Sequence, residues 1–461
     1  MARFAIKTLE FDKVKAMLAQ KAGTFLGKQA IGELRIESDF MKVQRLLEET
    51  AEAVRILDEG KRFPFGGAFN IEAEVRRAQL GSTLLPEELL HVMTTAAAIR
   101  SMKQFLAENE ENAPALQDYG RDMQIFSRLE KQIEQAIDDH GEIKDNASPK
   151  LNGLRNAIVI AKNRVKEKLD SILHDPNNQK YFMDNLVTMR GDRYVIPIMQ
   201  EYKMNFPGIV HDQSGTGATL FIEPMAVVNL NNDIKRYVAE EREEVERILR
   251  QLTQNVGQEA EALLASLERF TALDVICAKA YLAQEQHAVR PMLSVNGGVD
   301  IVQGRHPLLN QDTVVPLDVQ LGEKFSMLLI TGPNTGGKTV ALKAVGIFAL
   351  MAQTGMFIPA SSAKLPVFRA VYADIGDEQS IEQSLSTFSS HMTNIVSFWE
   401  QADERSLVLF DELGAGTDPT EGAALAMAIL SNLHRRDIRT RSEEHTSELQ
   451  SLEDLVCRLL L

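Results

Sequence analysis

One eight-residue segment constrains the fold of this chain more than any other feature of its sequence. It fits the pattern G-x-x-x-x-G-K-[ST] and reads Gly332-Pro333-Asn334-Thr335-Gly336-Gly337-Lys338-Thr339. Residues 327–330 before it are typical of a buried strand, and residues 340–351 after it are typical of an apolar helix. A strand, a glycine-rich loop and a helix in this order predict an α/β domain with a parallel sheet.

The residue types in this loop indicate what it binds. Glycines let backbone N–H groups curl around phosphates, and the helix N-terminus that follows adds positive potential. We expect all eight residues to contact a nucleotide, with Lys338 at the β- and γ-phosphates and the Thr339 hydroxyl at Mg²⁺. The predicted cofactors are therefore ATP and Mg²⁺. The structural alternative is a tight glycine turn before a core helix.

A second element pairs an apolar run with two carboxylates. Residues 407–410 predict a buried strand, and Asp411 and Glu412 follow at its C-terminal end, where ligands bind in α/β sheets. We expect Asp411 to hold Mg²⁺, directly or through water, and Glu412 to act as the base or positioner for an attacking water. The alternative is a solvated strand end without a catalytic role.

A third element is a helix N-terminus rich in hydroxyl groups. Ser386 and Thr387 precede apolar residues that recur on one helical face, which predicts that the two residues cap this helix. The functional hypothesis is that Ser386 contacts the γ-phosphate of a nucleotide bound to a neighbouring subunit. The alternative is a capping serine and nothing more.

The rest of the chain predicts a multidomain α plus α/β architecture. Short β-type runs between residues 185 and 224 indicate a small twisted sheet, and a coiled-coil-like helix with apolar residues at three- and four-residue steps precedes them. Residues 227–289 contain no proline and one glycine, Gly257, which predicts one helix of roughly 90 Å. We therefore divide the chain into a helical core (1–140), a lever helix with a β-containing clamp (141–225), a return lever helix (226–296) and an incomplete phosphate-loop ATPase domain (297–440).

Composition limits the setting and the partners. The two cysteines are far apart and no apolar run approaches the ~20 residues of a membrane span, so we expect a cytoplasmic protein without a membrane partner. The net charge of −15 means that nucleic acid could bind only through a local basic surface. Candidate cations for such a surface are Lys162, Arg164, Lys166, Lys168, Arg190, Arg193 and Lys203. A solvated helix or loop face explains them about as well.

The three elements, in this order and spacing, resemble the ATPase motifs of the MutS family. The resemblance rests on Asn334 with Gly336-Gly337, on Ser386-Thr387-Phe388 and on the run from Asp411 to Asp418, and Gly304-Arg305-His306-Pro307 resembles the start of that family's ATPase domain. Residues 208–214 and 221–224 resemble its second bacterial branch. Phe221-Ile222-Glu223 has the letters of the family's mismatch reader but lies in a predicted strand in mid-chain, so we interpret it as structural.

The resemblance implies functions that the residues alone do not. It implies a homodimeric ATPase that binds branched or recombination-intermediate DNA and suppresses homologous recombination, without a mismatch-reading domain. It also implies a possible second partner, the stalled ribosome with its rRNA. Nuclease activity in this branch belongs to a C-terminal Smr domain, which is not recognisable here, so we expect no DNA cleavage by this chain.

The chain departs from the family after about residue 440. Residues 441–451 match the translation of a common sequencing-adapter oligonucleotide, so we interpret residues 441–461 as an artefactual tail that offers no further buried strand. We accordingly do not assign the family's switch histidine to His445. We also expect the helix at residues 421–433 to pack against an incomplete sheet and to expose apolar surface.

Two other protein classes remain as alternatives. Coiled-coil chromosome-maintenance ATPases insert their coil between the phosphate loop and the Asp-Glu strand, whereas here the coil precedes Gly332. An ATP-gated scaffold would clamp a partner without hydrolysis, and the presence of Lys338, Thr339, Asp411 and Glu412 argues against it. Phosphate release from the chain would separate this scaffold from a working enzyme.

Overall fold

The computed structural model describes residues 5–295, 297–322, 325–331, 337–375, 384–411, 413–414 and 417–444. The helices in this part of the chain are α1 Phe11–Ala19, α2 Phe25–Gly32, α3 Phe40–Asp58, α4 Glu72–Gln79, α5 Pro86–Glu108, α6 Pro114–Asp122, α7 Ser127–Ala136, α8 Pro149–Leu173, α9 Met225–Gln258, α10 Ala260–Glu285, α11 Lys338–Gln353, α12 Ser384–Trp399 and α13 Pro419–Arg435. The strands are β1 Thr188–Arg190, β2 Arg193–Met199, β3 Gly208–Gln213, β4 Thr219–Pro224, β5 Met292–Ser294, β6 Val299–Gly304, β7 Leu317–Leu321, β8 Met327–Thr331, β9 Ser362–Pro366, β10 Ala370–Asp374, β11 Ser406–Asp411 and β12 Arg439–Glu444.

These elements form two compact units. The first unit comprises residues 1–70, 98–124 and 265–461, and the second comprises residues 71–97 and 125–264. The division falls within α5 and α10. The division predicted from the sequence, with four segments up to residue 440 and a tail at 441–461, stays a proposal. None of the helices in the described ranges combines the length and the apolar character that crossing a bilayer requires.

The second unit is built on the pairing of α8 with α9. Along α8 the buried residues recur at three- and four-residue steps, as the sequence predicts, except that the last buried position is Leu173 rather than Ile172. The series is Leu151, Leu154, Ile158, Ala161, Val165, Leu169 and Leu173. On α9, Val227 and Ile234 are buried in the same cluster as Ala161, Val165, Leu169 and Leu173 of α8. This seam removes apolar surface from water on both helices, which stabilises a pair of helices that neither could maintain alone.

The expected single helix over residues 227–289 is wrong, because α9 ends at Gln258 and α10 begins at Ala260. Glu259 lies between them with ψ of 8°, outside the helical range. The break lies beside Gly257, where a Cβ atom would come within 2.7 Å of the Ala78 carbonyl oxygen of α4. Gly257, the one glycine of the stretch, thus leaves room for α4 to pass closely. The helical periodicity alone does not reveal this close approach.

The small sheet predicted between residues 185 and 224 is present as four antiparallel strands in the order β1-β2-β4-β3. Glu223, near the end of β4, is buried and accepts hydrogen bonds from Arg193 Nη1 at 3.1 Å and Asn231 Nδ2 at 2.8 Å. His211 Nε2 lies 2.6 Å from the other carboxylate oxygen. Each Glu223 oxygen therefore has a protein partner, which agrees with a structural role for Phe221-Ile222-Glu223.

The first unit contains a parallel sheet in the order β10-β11-β12-β8. Helix α11 lies against it, and every residue from 344 to 353 is buried. The cluster around α11 includes Leu328 and Ile330 of β8, Leu407 and Leu409 of β11, and Leu9, Phe11, Val14 and Leu18 of the N-terminal segment. A second small sheet, ordered β5-β9-β6-β7, adds Val299, Ile301 and Leu365 to this cluster.

The expectation that no strand follows Asp411-Glu412 in the sheet is wrong. Strand β12 pairs in parallel with β11 on one side and with β8 on the other. Its residues Thr440, Arg441 and Ser442 are buried, although the strand has no apolar residue. Main-chain hydrogen bonds to two neighbours hold a central strand whatever its side chains are, so the apolar-run criterion missed it. Residues 445–461, including His445, lie outside the described residues.

The apolar face of α13 is covered, which corrects the expectation that it would be exposed. Ala426, Ile429, Leu430 and Leu433 are all buried. They belong to a cluster with residues of β10, β11 and α12, including Tyr372, Phe410 and Phe398. In the sheet on which α13 packs, β12 occupies the position between β11 and β8.

Candidate functional site

The C-terminal edge of the parallel sheet collects the polar residues of the candidate site. The register places Asp411 of β11 beside Glu443 of β12, and Glu443 beside Ile330 of β8. On the other side of β11, Asp374 at the end of β10 lies beside Phe410. Because all four strands are parallel, their carboxyl ends meet at this one edge, where α/β folds bind ligands.

Lys338 begins α11 at the same edge. Gly337 precedes it with φ of 77° and ψ of 18°, the left-handed conformation that favours glycine. Lys338 is only 4% exposed, and Ala341 N donates to Gly337 O at 3.0 Å as the first bond of the helix. The N–H groups of a first helical turn have no acceptor within the helix, and the helix dipole makes that end positive. A lysine at such a helix end is well placed to bind an anion.

The remaining predicted residues divide into those that the structure describes and those that it does not. Thr339 follows Lys338 on α11 and is half-buried, and Asp411 is half-buried at the end of β11. Gly332, Pro333, Asn334, Thr335, Gly336 and Glu412 lie outside the described residues. A threonine hydroxyl and a carboxylate are hard oxygen donors, which fit Mg²⁺ bound mainly by water and phosphate oxygens. The described residues contain no cluster of three or more His, Cys, Asp and Glu that could hold a metal without such help.

Ser386 lies within α12, and its side chain is outside the described part of the structure. The described part of the helix starts at Ser384, so Ser386 and Thr387 lie within it. The expectation that these two residues cap the helix is therefore wrong. Serine occurs in helices as well as at the capping position before them, so the residue types alone do not fix where a helix begins.

Sequence reasoning missed a polar cluster between β10 and α12. Asp374 is 6% exposed, its Oδ2 lies 2.8 Å from His391 Nδ1, and its Oδ1 accepts from Asn394 Nδ2 at 2.9 Å. A signal was present, because residues 370–373 are an apolar run followed by an aspartate, like the run before Asp411. The partners were not visible, since they come from a different element.

The candidate basic surface separates into paired and unpaired cations. Arg190 forms an ion pair with Asp212 at 3.1 Å, and Arg193 pairs with the buried Glu223. No ion pair to a described carboxylate is formed by four cations of α8, namely Lys162, Arg164, Lys166 and Lys168. Three of these four are exposed and Lys162 is half-buried, so α8 carries positive charge that the described residues do not neutralise.

Comparison with known proteins gives a family for this arrangement. Residues 328–459 match the model of MutS domain V. Proteins named endonuclease MutS2 are similar along nearly the whole chain. The one from Geobacillus sp. (strain WCH70) is 50% identical over 450 residues, which cover 97% of this chain and 57% of the relative. Those from Symbiobacterium thermophilum and Bacillus velezensis are 48% and 44% identical and cover 97% and 98% of this chain, and 56% and 58% of the relatives.

The chain thus spans little more than half the length of these relatives. Within that span the similarity includes the parallel sheet, α11 and the elements that carry Asp411 and Ser386. From the domain match and from relatives up to 50% identical over almost its full length, the chain belongs to the MutS family.

Proposed function

We propose that this chain binds ATP with Mg²⁺ at the C-terminal edge of the parallel sheet and hydrolyses it. The observation that carries the proposal is Lys338, which is buried at the N-terminus of α11 directly after a left-handed glycine. An ammonium group at a helix N-terminus adds to the positive potential of the N–H groups there, which favours a bound anion. The loop sequence before Lys338 is the one that cradles phosphates, and this supports a nucleotide as that anion.

Each residue of the site has a separate role. Lys338 holds the β- and γ-phosphates, and the helix N-terminus adds favourable potential. Thr339 and Asp411 would hold Mg²⁺, directly or through water, and the ion would supply positive charge beside the phosphates. Glu412 orients the water that attacks the γ-phosphate. Ser386 of a second copy completes the site.

We further propose that the protein acts as a homodimer on branched or junction DNA. Family membership supports a dimeric, DNA-associated ATPase. The unpaired cations of α8 supply the local positive charge that an acidic protein needs in order to contact phosphates. Suppression of homologous recombination is the role that this binding implies, and the ribosome is the competing partner.

The experiment compares two lysines of the same helix. Lys338→Met removes the ammonium group but keeps the length of the side chain, and we expect fluorescent-ATP affinity to fall at least about tenfold, since bonds to charged groups contribute ~1.5–3 kcal/mol. Lys343→Met removes a lysine whose Nζ lies 3.3 Å from Glu10 Oε2, and should leave affinity unchanged. Equal ATP affinity in the wild type and Lys338→Met would refute the assignment.

A further inference from the structure

Helix α12 is attached to the parallel sheet in two different ways along its length. Near its C-terminal end, Phe398 stacks on Tyr372 of β10 with ring centroids 4.6 Å apart and planes at 15°. Ile395 and Phe398 are almost fully buried there. This apolar packing holds the helix on the sheet, although the hydrophobic effect itself has no preferred direction.

In the middle of the helix, at His391 and Asn394, the attachment is directional. Asp374 Oδ1 accepts from Asn394 Nδ2 at 2.9 Å, and the same amide lies 3.2 Å from Ala373 O. Asp374 Oδ2 lies 2.8 Å from His391 Nδ1. A carboxylate can only accept hydrogen bonds, so His391 Nδ1 carries the proton in this pair. Two side chains three residues apart on α12 thus meet one buried carboxylate at the end of β10.

The position of this cluster relates it to the candidate site. Asp374 lies at the C-terminal edge of the sheet, paired in register with the residue before Asp411. Both of its oxygens have protein partners, so it is poorly placed to ligate an ion itself. Ser386 lies five residues before His391 on the same helix, which is about 7.5 Å along the helix axis.

We propose that His391 is a positioning residue: held by Asp374 at the sheet edge, it fixes α12 so that Ser386 is presented to the nucleotide of a second copy of this chain. This inference rests on the proposed ATPase function. The His391–Asp374 pair acts on the neighbour's nucleotide and not on the nucleotide bound by its own Lys338.

The test uses three variants in the full chain. His391→Ala removes the ring, and His391→Asn places an amide donor near the former position of Nδ1. Ser386→Ala is the reference for loss of the contact to the neighbour. We expect His391→Ala to lower kcat for phosphate release by about 10- to 100-fold, the scale for a misplaced group, with ATP affinity unchanged. His391→Asn should recover most of the rate, which a merely space-filling role would not allow.

The decisive arm uses mixed dimers purified through two different tags. In a dimer of His391→Ala with Lys338→Met, one site combines an intact phosphate loop with an intact α12, so about half of the wild-type rate should return. The dimer of Ser386→Ala with Lys338→Met should behave alike. If the Ser386 mixture recovers activity and the His391 mixture does not, the pair serves its own subunit and the proposal is overturned.

Other outcomes separate this proposal from the ATPase assignment. Absence of turnover in the wild type, or full ATP affinity in Lys338→Met, would remove the proposed function itself. A working wild type with an unchanged kcat in His391→Ala would overturn only the positioning role. His391→Ala could instead lower the midpoint of urea unfolding and weaken ATP binding, without restoration by His391→Asn. That result would assign His391 to general stability and would also overturn the positioning role.

Discussion

Individual polar side chains in this protein are held by a few directed contacts, and the sequence predicts only some of them. The letters of the phosphate loop and the apolar run before Asp411 were sufficient to place Lys338 and Asp411 at one sheet edge. Asp374 was missed because its partners come from α12, 17 and 20 residues further along the chain. Local patterns show what precedes and follows a residue, whereas a buried carboxylate is defined by the elements packed against it.

Glu244 of α9 shows the same dependence on tertiary partners. Its buried carboxylate accepts from Arg247 Nη2 at 2.7 Å and from Ser148 Oγ at 2.8 Å, and Lys150 Nζ lies at 3.4 Å. Ser148 in turn caps α8 by accepting from Leu151 N. The hydrogen bond from Arg247 outweighs burial, and with the Ser148 bond it lowers the pKa of Glu244 from 4.5 to about 2.

This pKa shift predicts a pH dependence of stability. Because the folded pKa lies below the unfolded value, the charged form of Glu244 stabilises the fold above about pH 4.5, and this stabilisation is lost as the pH falls towards 2. The difference in urea midpoint between the wild type and Glu244→Gln, followed by circular dichroism, should be largest near neutral pH and shrink below about pH 4.5. A difference that stays constant from neutral to acidic pH would contradict this explanation.

The helices and strands agree with the prediction from sequence where a segment with one periodic pattern packs against a single partner, as along α8 and in the small antiparallel sheet. They differ from the prediction where a neighbouring element determines the structure. Strand β12 is central although it is polar, because β11 and β8 both supply main-chain partners. Helices α9 and α10 are separate although the stretch has apolar residues at helical spacing and no proline, and the break lies beside Gly257, which α4 approaches closely. Neither neighbour is visible in the segment's own residues.

A matched pair of glycine substitutions tests the second of these explanations. At Gly257 a Cβ atom would lie 2.7 Å from Ala78 O and 3.0 Å from Ala78 C, so Gly257→Ala should destabilise the protein by about 1–3 kcal/mol. At Gly153 of α8 nothing lies within 4 Å of the added atom, and Gly153→Ala should stabilise by roughly 0.5–1 kcal/mol through helix propensity. Urea unfolding measures both changes. Equal effects at the two positions would mean that α4 does not constrain α9.

For the molecule as a whole, family membership and the charge distribution lead to a prediction about DNA. The net charge is −15, yet α8 carries cations that no described carboxylate neutralises. Contacts to phosphates by such a surface read the shape of DNA rather than its bases. Binding should therefore depend on branching and not on mispairing.

Competition binding at two salt concentrations measures this preference. Junction DNA should displace a labelled probe about tenfold more effectively than linear duplex, and affinity for both should fall as salt rises. A linear duplex with one mismatch serves as the control and should compete no better than the matched duplex. A clear mismatch preference would contradict shape-based binding, and stronger competition by ribosomes than by junction DNA would make the ribosome the main partner.

We propose that the sheet edge bearing Lys338 and Asp411, together with Glu412, hydrolyses ATP, and steady-state phosphate release tests this proposal most directly. Glu412→Gln keeps a hydrogen-bonding side chain and removes the carboxylate that orients water. With ATP saturating, the wild type should turn over, and Glu412→Gln should release phosphate at least ~100-fold more slowly while still binding ATP. A wild-type rate no higher than that of Lys338→Met would instead indicate an ATP-gated clamp without hydrolysis, and an unchanged rate in Glu412→Gln would contradict the assignment of the catalytic carboxylate.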